Sequence, residues 1–249
     1  MIKVVKRYIT EKFLKKRGYQ LRPFPEYSQD EIRRIKMMKY YNIDTLIDVG
    51  ANSGQYGSFV RTLGYDKKIV SFEPLNDAFS LLQEVSKDDI NWFVNNYALG
   101  NENTKSLIHI SGNSYSSSIL DMLDTHLNAA PESAYISTQE IEIKTFNSVY
   151  SQFCTDKNNI MLKIDTQGYE KNVLDGVGDF LKHISILDLE MSLVPLYENG
   201  ILFMEMFDYV GSKGFKLFSL ENEFSDETSG QLLQVNGIFI NNSRIQNLK

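Results

Sequence analysis

Cysteine is almost missing from this chain of 249 residues. Cys154 is the only one, which excludes an internal disulfide and leaves no basis for a cysteine-built zinc site. A reducing, cytoplasmic setting is expected. Histidine is nearly as scarce, with His109, His126 and His183 scattered along the chain. No uninterrupted apolar run approaches the roughly 18 residues that a membrane span needs. The N-terminus carries positive charge but no apolar middle segment, so no signal peptide is expected. No internal repeat and no low-complexity tract is present.

Positive charge is also short overall: 26 Lys and Arg face 32 Asp and Glu, a net charge of −6. The deficit is uneven. Residues 1–22 hold Lys3, Lys6, Arg7, Lys12, Lys15, Lys16, Arg17 and Arg22 against the single acid Glu11, so the remainder is strongly acidic. An acidic body repels phosphates, and no nucleic-acid partner is expected. In the basic arm, Ile2, Val5, Ile9 and Phe13 fall at helical spacing. Such a helix either packs on the domain with a solvated basic face or makes a peripheral contact with an anionic membrane surface. Pro23-Phe24-Pro25 then stops it. Residues 1–42 therefore read as a basic helical extension, and 43–249 as one domain.

Past a helix at 29–41, strand and helix alternate. Strands are expected at 45–49, 69–72 and 90–94, with helices at 54–63 and 76–86 between them. Residues 104–110 and 139–145 alternate like strands, with a serine-rich stretch at Ser114–Ser118 and a short helical pattern between them. The span from about 104 to 145 reads as an insertion at the active-site edge. Alternation resumes with strand 160–164, helix 169–181, strand 184–189 and a helix at about 201–212. A final pair of strands, 215–220 and 232–240, follows. This order predicts an α/β domain with a mainly parallel sheet covered on both faces.

Ligands of such sheets bind beyond the carboxyl ends of the strands, so the residues after each strand carry the chemistry. The first strand delivers Asp48 and then Gly50-Ala51-Asn52-Ser53-Gly54. The dinucleotide fingerprint requires Gly-x-Gly-x-x-Gly, but Asn52 and Gln55 stand at its second and third places. A carboxylate at Asp48 would also repel a pyrophosphate, and would favour an ammonium or sulfonium. The second strand ends in Glu73-Pro74, whose carboxylate has two oxygens for the two hydroxyls of a ribose. Together the two acids fit a nucleoside with a cationic amino-acid tail, and S-adenosylmethionine fits best. After the third strand, Asn96 suits an adenine edge or a polar turn ended by Gly100.

The fourth tip reads Lys163-Ile164-Asp165-Thr166-Gln167-Gly168-Tyr169-Glu170, and the fifth ends Asp188-Leu189-Glu190. A lysine inside an apolar strand needs a partner for its ammonium. Asp165, Glu170 and Glu190 are the candidate catalytic carboxylates. Three acids at one cleft are equally compatible with a general base, a sugar-positioning set or a divalent-cation site. His126 is a secondary candidate base, and His183 is expected to cap a helix.

These segments together resemble the FkbM-type methyltransferases. Leu46-Ile47-Asp48-Val49-Gly50-Ala51-Asn52-Ser53-Gly54-Gln55-Tyr56 is similar to that family's opening motif. Ser71-Phe72-Glu73-Pro74, Asn96-Tyr97-Ala98-Leu99-Gly100 and Leu162-Lys163-Ile164-Asp165, with Gly168, Glu170 and Val173-Leu174-Asp175-Gly176, resemble its later motifs in order. The likeness covers roughly residues 44–192. It implies a Rossmann-like seven-stranded methyltransferase sheet with the last strand antiparallel. It also implies S-adenosylmethionine as donor and, usually, a hydroxyl acceptor on a sugar or natural product. By position it carries cofactor roles onto Asp48, Gly50, Glu73 and Asn96, and sets Asp165 beside the reacting centre. Asn52, Gln55, Pro74, Ala98 and Ser118 complete the expected cofactor set, Ser118 from a serine-rich loop with its own counterpart in the family. Thr166-Gln167 stands where many members have a second acid, which leaves a divalent metal without support. Asn147 likewise replaces an acid often found there. Oligomeric state is not legible. The competing readings are an NAD-dependent oxidoreductase and a non-catalytic module that keeps the cofactor pocket.

Overall fold

The computed structural model describes residues 29–245. The basic arm, its helical spacing and the Pro23-Phe24-Pro25 stop lie outside the described residues. The chain divides between Lys36 and Met37, and the described residues from Met37 onward form one unit. The strands are β1 (Thr45–Val49), β2 (Lys68–Phe72), β3 (Trp92–Asn95), β4 (Ala98–Leu99), β5 (Thr104–Ser111), β6 (Tyr135–Lys144), β7 (Ile160–Ile164), β8 (Ile184–Ser192), β9 (Phe215–Asn222) and β10 (Gln234–Asn241). The α-helices are α1 (Gln29–Tyr40), α2 (Gln55–Thr62), α3 (Asn76–Ser86), α4 (Asp124–Ala129), α5 (Phe146–Phe153), α6 (Glu170–Val177), α7 (Phe203–Ser212) and α8 (Asn242–Ile245).

Among the described residues a seven-stranded sheet runs in the order β3-β2-β1-β7-β8-β10-β9. β10 is antiparallel to both β8 and β9, while β3, β2, β1, β7 and β8 are parallel. This is the expected Rossmann-like α/β sheet with its last strand reversed. Its central strands are buried on both faces, which is why Leu46, Ile47, Val49, Met161, Leu162, Ile164, Leu187 and Leu189 form near-continuous apolar runs rather than alternating ones. From β1 the chain moves outward to β2 and β3, then returns to place β7 on the other side of β1. That reversal opens a crevice at the carboxyl ends of β1 and β7.

Two local expectations need correction, and two short elements carried none. The third strand begins at Trp92, because Ile90 is 91% exposed and outside the ladder. Within the span 104–145 the two expected strands pair with each other: β5 and β6 are antiparallel, and β6 also pairs with β4, making a separate three-stranded sheet. β4 is two residues long, too short for any periodicity to show. The helix expected over 169–181 changes at Gly178, where φ is 57° and the chain tightens into a 3-10 segment ending at His183. Finally, α5 carried no expectation, although Thr145 caps it by accepting from the Ser148 N–H at 3.2 Å.

Candidate active site

The tip of β1 turns sharply. Gly50 has φ +76°, and a Cβ placed there would collide with the Asp165 carbonyl oxygen at the end of β7. Only glycine meets both conditions, so Gly50 brings the β1 and β7 tips together at the crevice. The Asp165 N–H donates to the Val49 carbonyl at 3.1 Å, which closes the same junction. Asn52 follows with φ 46°, and its Oδ1 accepts from its neighbour's Ser53 N–H at 2.7 Å. The Gln55 amide approaches that same oxygen at 3.4 Å.

Glu73 stands next to this turn, just past β2. Its side chain is buried, and Oε2 accepts from the Asn52 N–H while Oε1 accepts from the Leu75 N–H, both at 2.8 Å. Burial pushes its carboxyl up to about 7, against the pull of those two amides. Asn96 supports the loop from behind by donating its amide to the Glu73 and Pro74 carbonyls at 3.0 and 3.1 Å. Ala98 packs into a small core with Leu75, Ala78, Ile108, Ile141 and Ile143, which joins the second sheet to the β2 tip.

Asp48 is placed differently from what its position in the motif suggests. It lies inside β1 and its carboxylate is fully buried. Ser71, Asp48, Lys163 and Asp188 occupy one lateral row of the sheet. Lys163 Nζ lies 3.5 Å from Asp48 Oδ1 and 3.1 Å from Asp165 Oδ2, and sits over the Tyr56 ring at 5.2 Å. The lysine in the apolar strand thus has its partners. Burial opposes its charge, but Asp165 and Asp48 outweigh that and hold the ammonium above the usual lysine range. Burial raises the Asp48 carboxyl, and Lys163 pulls it back. Asp188 accepts from the Tyr56 hydroxyl at 3.0 Å.

The β7 and β8 tips carry the remaining acids. Asp165 is the open one, with its side chain 37% exposed. Glu190 is buried, and burial first, then the nearby Asp165 and Glu170 charges, raise its carboxyl well above the usual range. Glu170 is buried as well and serves its own turn: Oε1 accepts from the Thr166 N–H at 2.9 Å, the Gly168 N–H at 3.1 Å and the Thr166 hydroxyl at 3.2 Å. Burial lifts it to about 7. Among the described residues, no group of three or more His, Cys, Asp or Glu is arranged to hold a metal ion.

Gln167, passed over as a site residue, joins these acids. Its Nε2 lies 2.9 Å from Asp165 Oδ1 and 2.9 Å from Glu190 Oε2. Its Oε1 accepts from the Tyr197 hydroxyl at 2.6 Å. The one local signal was its position between a strand tip and Gly168. Ser118 also faces this loop, its Oγ donating to the Gln167 carbonyl at 2.7 Å. Asn52 Nδ2 donates to the Ser114 carbonyl at 3.0 Å, and Gln139 Nε2 to the Pro74 carbonyl at 3.0 Å. The three-stranded sheet and its serine loop are therefore tied to the tips of β1, β2 and β7. His126 is not open to it. The ring is buried edge-on against Tyr197, and burial lowers it to about 4.

A parallel sheet with one reversed strand, and acids just inside or past the tips of β1, β2, β7 and β8, define an α/β protein of the methyltransferase class. The sequence comparison narrows this. The family model described as "Methyltransferase FkbM domain" matches residues 48–217, and the chain belongs to that family. No curated protein matches the sequence. Similar solved structures include TehB from Haemophilus influenzae, at 10% identity and a TM-score of 0.45, covering 86% of this chain and 62% of that one. A putative rRNA methylase from Clostridium thermocellum is 10% identical with a TM-score of 0.47, covering 86% and 98%. Aeropyrum pernix fibrillarin with natively bound S-adenosyl-L-methionine is 9% identical with a TM-score of 0.45, covering 79% and 66%. The chain thus spans less than two thirds of the length of TehB.

Proposed function

We infer that this protein is an S-adenosylmethionine-dependent O-methyltransferase whose acceptor is a hydroxyl of a sugar, a polysaccharide or glycolipid, or a natural product. The observation that carries the reading is the pairing across one crevice of a buried carboxylate, Glu73, with an open one, Asp165, joined through Gly50. Each Glu73 oxygen accepts one backbone N–H and keeps a lone pair for a hydroxyl, which suits a ribose diol. Gly50, Asn52 and Gln55 belong to the turn after β1, Pro74 follows Glu73 at the β2 tip, and Asn96 holds that second loop in shape. Bound S-adenosylmethionine would supply an activated methyl group on a sulfonium, and the acids of the crevice favour that cation.

Asp48 serves by charge from within the sheet, since its carboxylate has no open surface. Asp165 is assigned to the acceptor hydroxyl: it is partly exposed, and Lys163 and Gln167 fix its two oxygens. A neutral alcohol is a weak nucleophile near neutral pH, so a carboxylate that takes its proton speeds attack. Glu190, beneath Gln167, is the second proton acceptor. Glu170 shapes the turn that carries Asp165 and Gln167. Ser118 and the serine loop limit water at the crevice. Neutral, hydroxyl-rich acceptors suit this acidic edge better than polyanions do. Among the described residues, no helix is long and apolar enough to cross a membrane. A peripheral contact through residues 1–22 remains a proposal for liposome binding to test.

The test is calorimetry of the full chain with S-adenosylhomocysteine and, separately, NAD, followed by transfer of labelled methyl groups into carbohydrate acceptors. Binding of the first alone, with transfer, is expected. NAD binding would favour an oxidoreductase. S-adenosylhomocysteine binding without transfer to any acceptor pool would favour a binding module.

A further inference from the structure

Gln167 holds a left-handed backbone, φ 55°, which costs a non-glycine residue energy unless its contacts repay it. Those contacts use every polar group of its amide. Both Nε2 hydrogens go to carboxylates, Asp165 at 2.9 Å and Glu190 at 2.9 Å, and Oε1 takes the Tyr197 hydroxyl at 2.6 Å. Ser118 holds its backbone carbonyl at 2.7 Å. Two carboxylates that converge on one point need a cation, a proton or a hydrogen-bond donor there, because their charges repel in a site with little water. Lys163 hydrogen-bonds Asp165 at 3.1 Å from the sheet side, while the donor that bridges Asp165 and Glu190 is Gln167.

We propose that the Gln167 amide stands in for a cation between Asp165 and Glu190, so that it positions both carboxylates and makes this half of the crevice independent of divalent metal. The amide presents the positive end of a dipole, carries no net charge and cannot be removed by chelation. Tyr197 completes the device by fixing the amide's orientation: with its hydroxyl donating to Oε1, the nitrogen must face the acids. A carboxylate at 167 would reverse the logic. Three carboxylates would then converge, which is an oxygen-rich site of the kind Mg²⁺ and Mn²⁺ occupy. Gln167 is therefore a positioning residue. Its role in catalysis rests on the proposed methyl transfer, but its effect on metal binding does not.

The experiment titrates Mn²⁺ into the chelator-treated full chain and follows free Mn²⁺ by electron paramagnetic resonance. Wild-type protein should leave the Mn²⁺ signal free. Gln167→Glu, checked for fold by circular dichroism, should bind Mn²⁺ saturably and at least about tenfold more tightly, a gain of roughly 1.4 kcal/mol. Adding Asp165→Asn to that variant should abolish the gain. Saturable binding by wild type that disappears in Asp165→Asn would overturn the proposal, and needs no folded Gln167 variant to be seen. A folded Gln167→Glu protein without the gain would overturn it too. S-adenosylhomocysteine titration of the same samples separates this outcome from failure of the cofactor reading.

Discussion

Replacing Glu73 by Gln separates binding from stability in a way that other roles for this residue would not. Glu73 accepts from two backbone N–H groups at 2.8 Å, and ionised it keeps acceptor capacity for a diol. Glutamine retains one acceptor oxygen, and its NH₂ group confronts one of those amides. A charge-assisted hydrogen bond is worth about 1.5–3 kcal/mol, so S-adenosylhomocysteine affinity should fall roughly 10- to 150-fold, at about 1.4 kcal/mol per tenfold. Because burial lifts the Glu73 carboxyl from 4.5 to about 7, the ionised, diol-accepting form disappears as pH drops below about 7. Wild-type affinity should therefore weaken on acidification, and that of Glu73→Gln should not. Stability moves the other way. An acid whose folded-state value is raised binds its proton more tightly when folded. Its contribution is complete below pH 4.5 and is lost as pH rises through about 7. That loss is roughly 3 kcal/mol for wild type, at about 1.4 kcal/mol per pH unit, and is removed by the substitution. Calorimetric titration and thermal melts across pH 5 to 8 test both halves. Unchanged affinity in Glu73→Gln, or the same pH dependence as wild type, would refute the ribose assignment.

The other outcomes concern the crevice and its supports. Gly50→Ala should lower the melting temperature by about 10 °C, since it combines left-handed strain with a collision against the Asp165 carbonyl; a melt close to wild type would count against the described junction. Asp165→Ala should fold, bind S-adenosylhomocysteine and lose about 100- to 10,000-fold in turnover. Full activity there would remove Asp165 from the chemistry. Lys163→Met should cost about 3–5 kcal/mol in urea unfolding, because it leaves the buried Asp48 without its cation. A loss under 1 kcal/mol would show that Asp48 is neutral in the folded protein.

Much of the architecture was legible because its causes are local. Apolar runs marked β1, β7 and β8, which are buried on both faces. Helical spacing of Ile32, Ile35 and Met38 or Lys39 marked α1, and the glycine turn after Asp48 marked the crevice. The family resemblance rested on such segments in order. The boundaries that failed were those with weak local signals. Ile90 is apolar yet exposed, β4 is two residues long, and α5 is short, so that Thr145 was its main local marker.

Composition and motif order by themselves determined the class: an α/β sheet with acids at successive strand ends, no disulfide and no dinucleotide fingerprint. Which acids meet, and what stands between them, was decided only by the tertiary structure. Lateral register set Lys163 beside Asp48, and a left-handed turn aimed the Gln167 amide at Asp165 and Glu190. Periodicity and turn chemistry act over a few residues and can be read in a line. Charge pairing depends on which strands become neighbours, and that is set by the packing of the whole sheet.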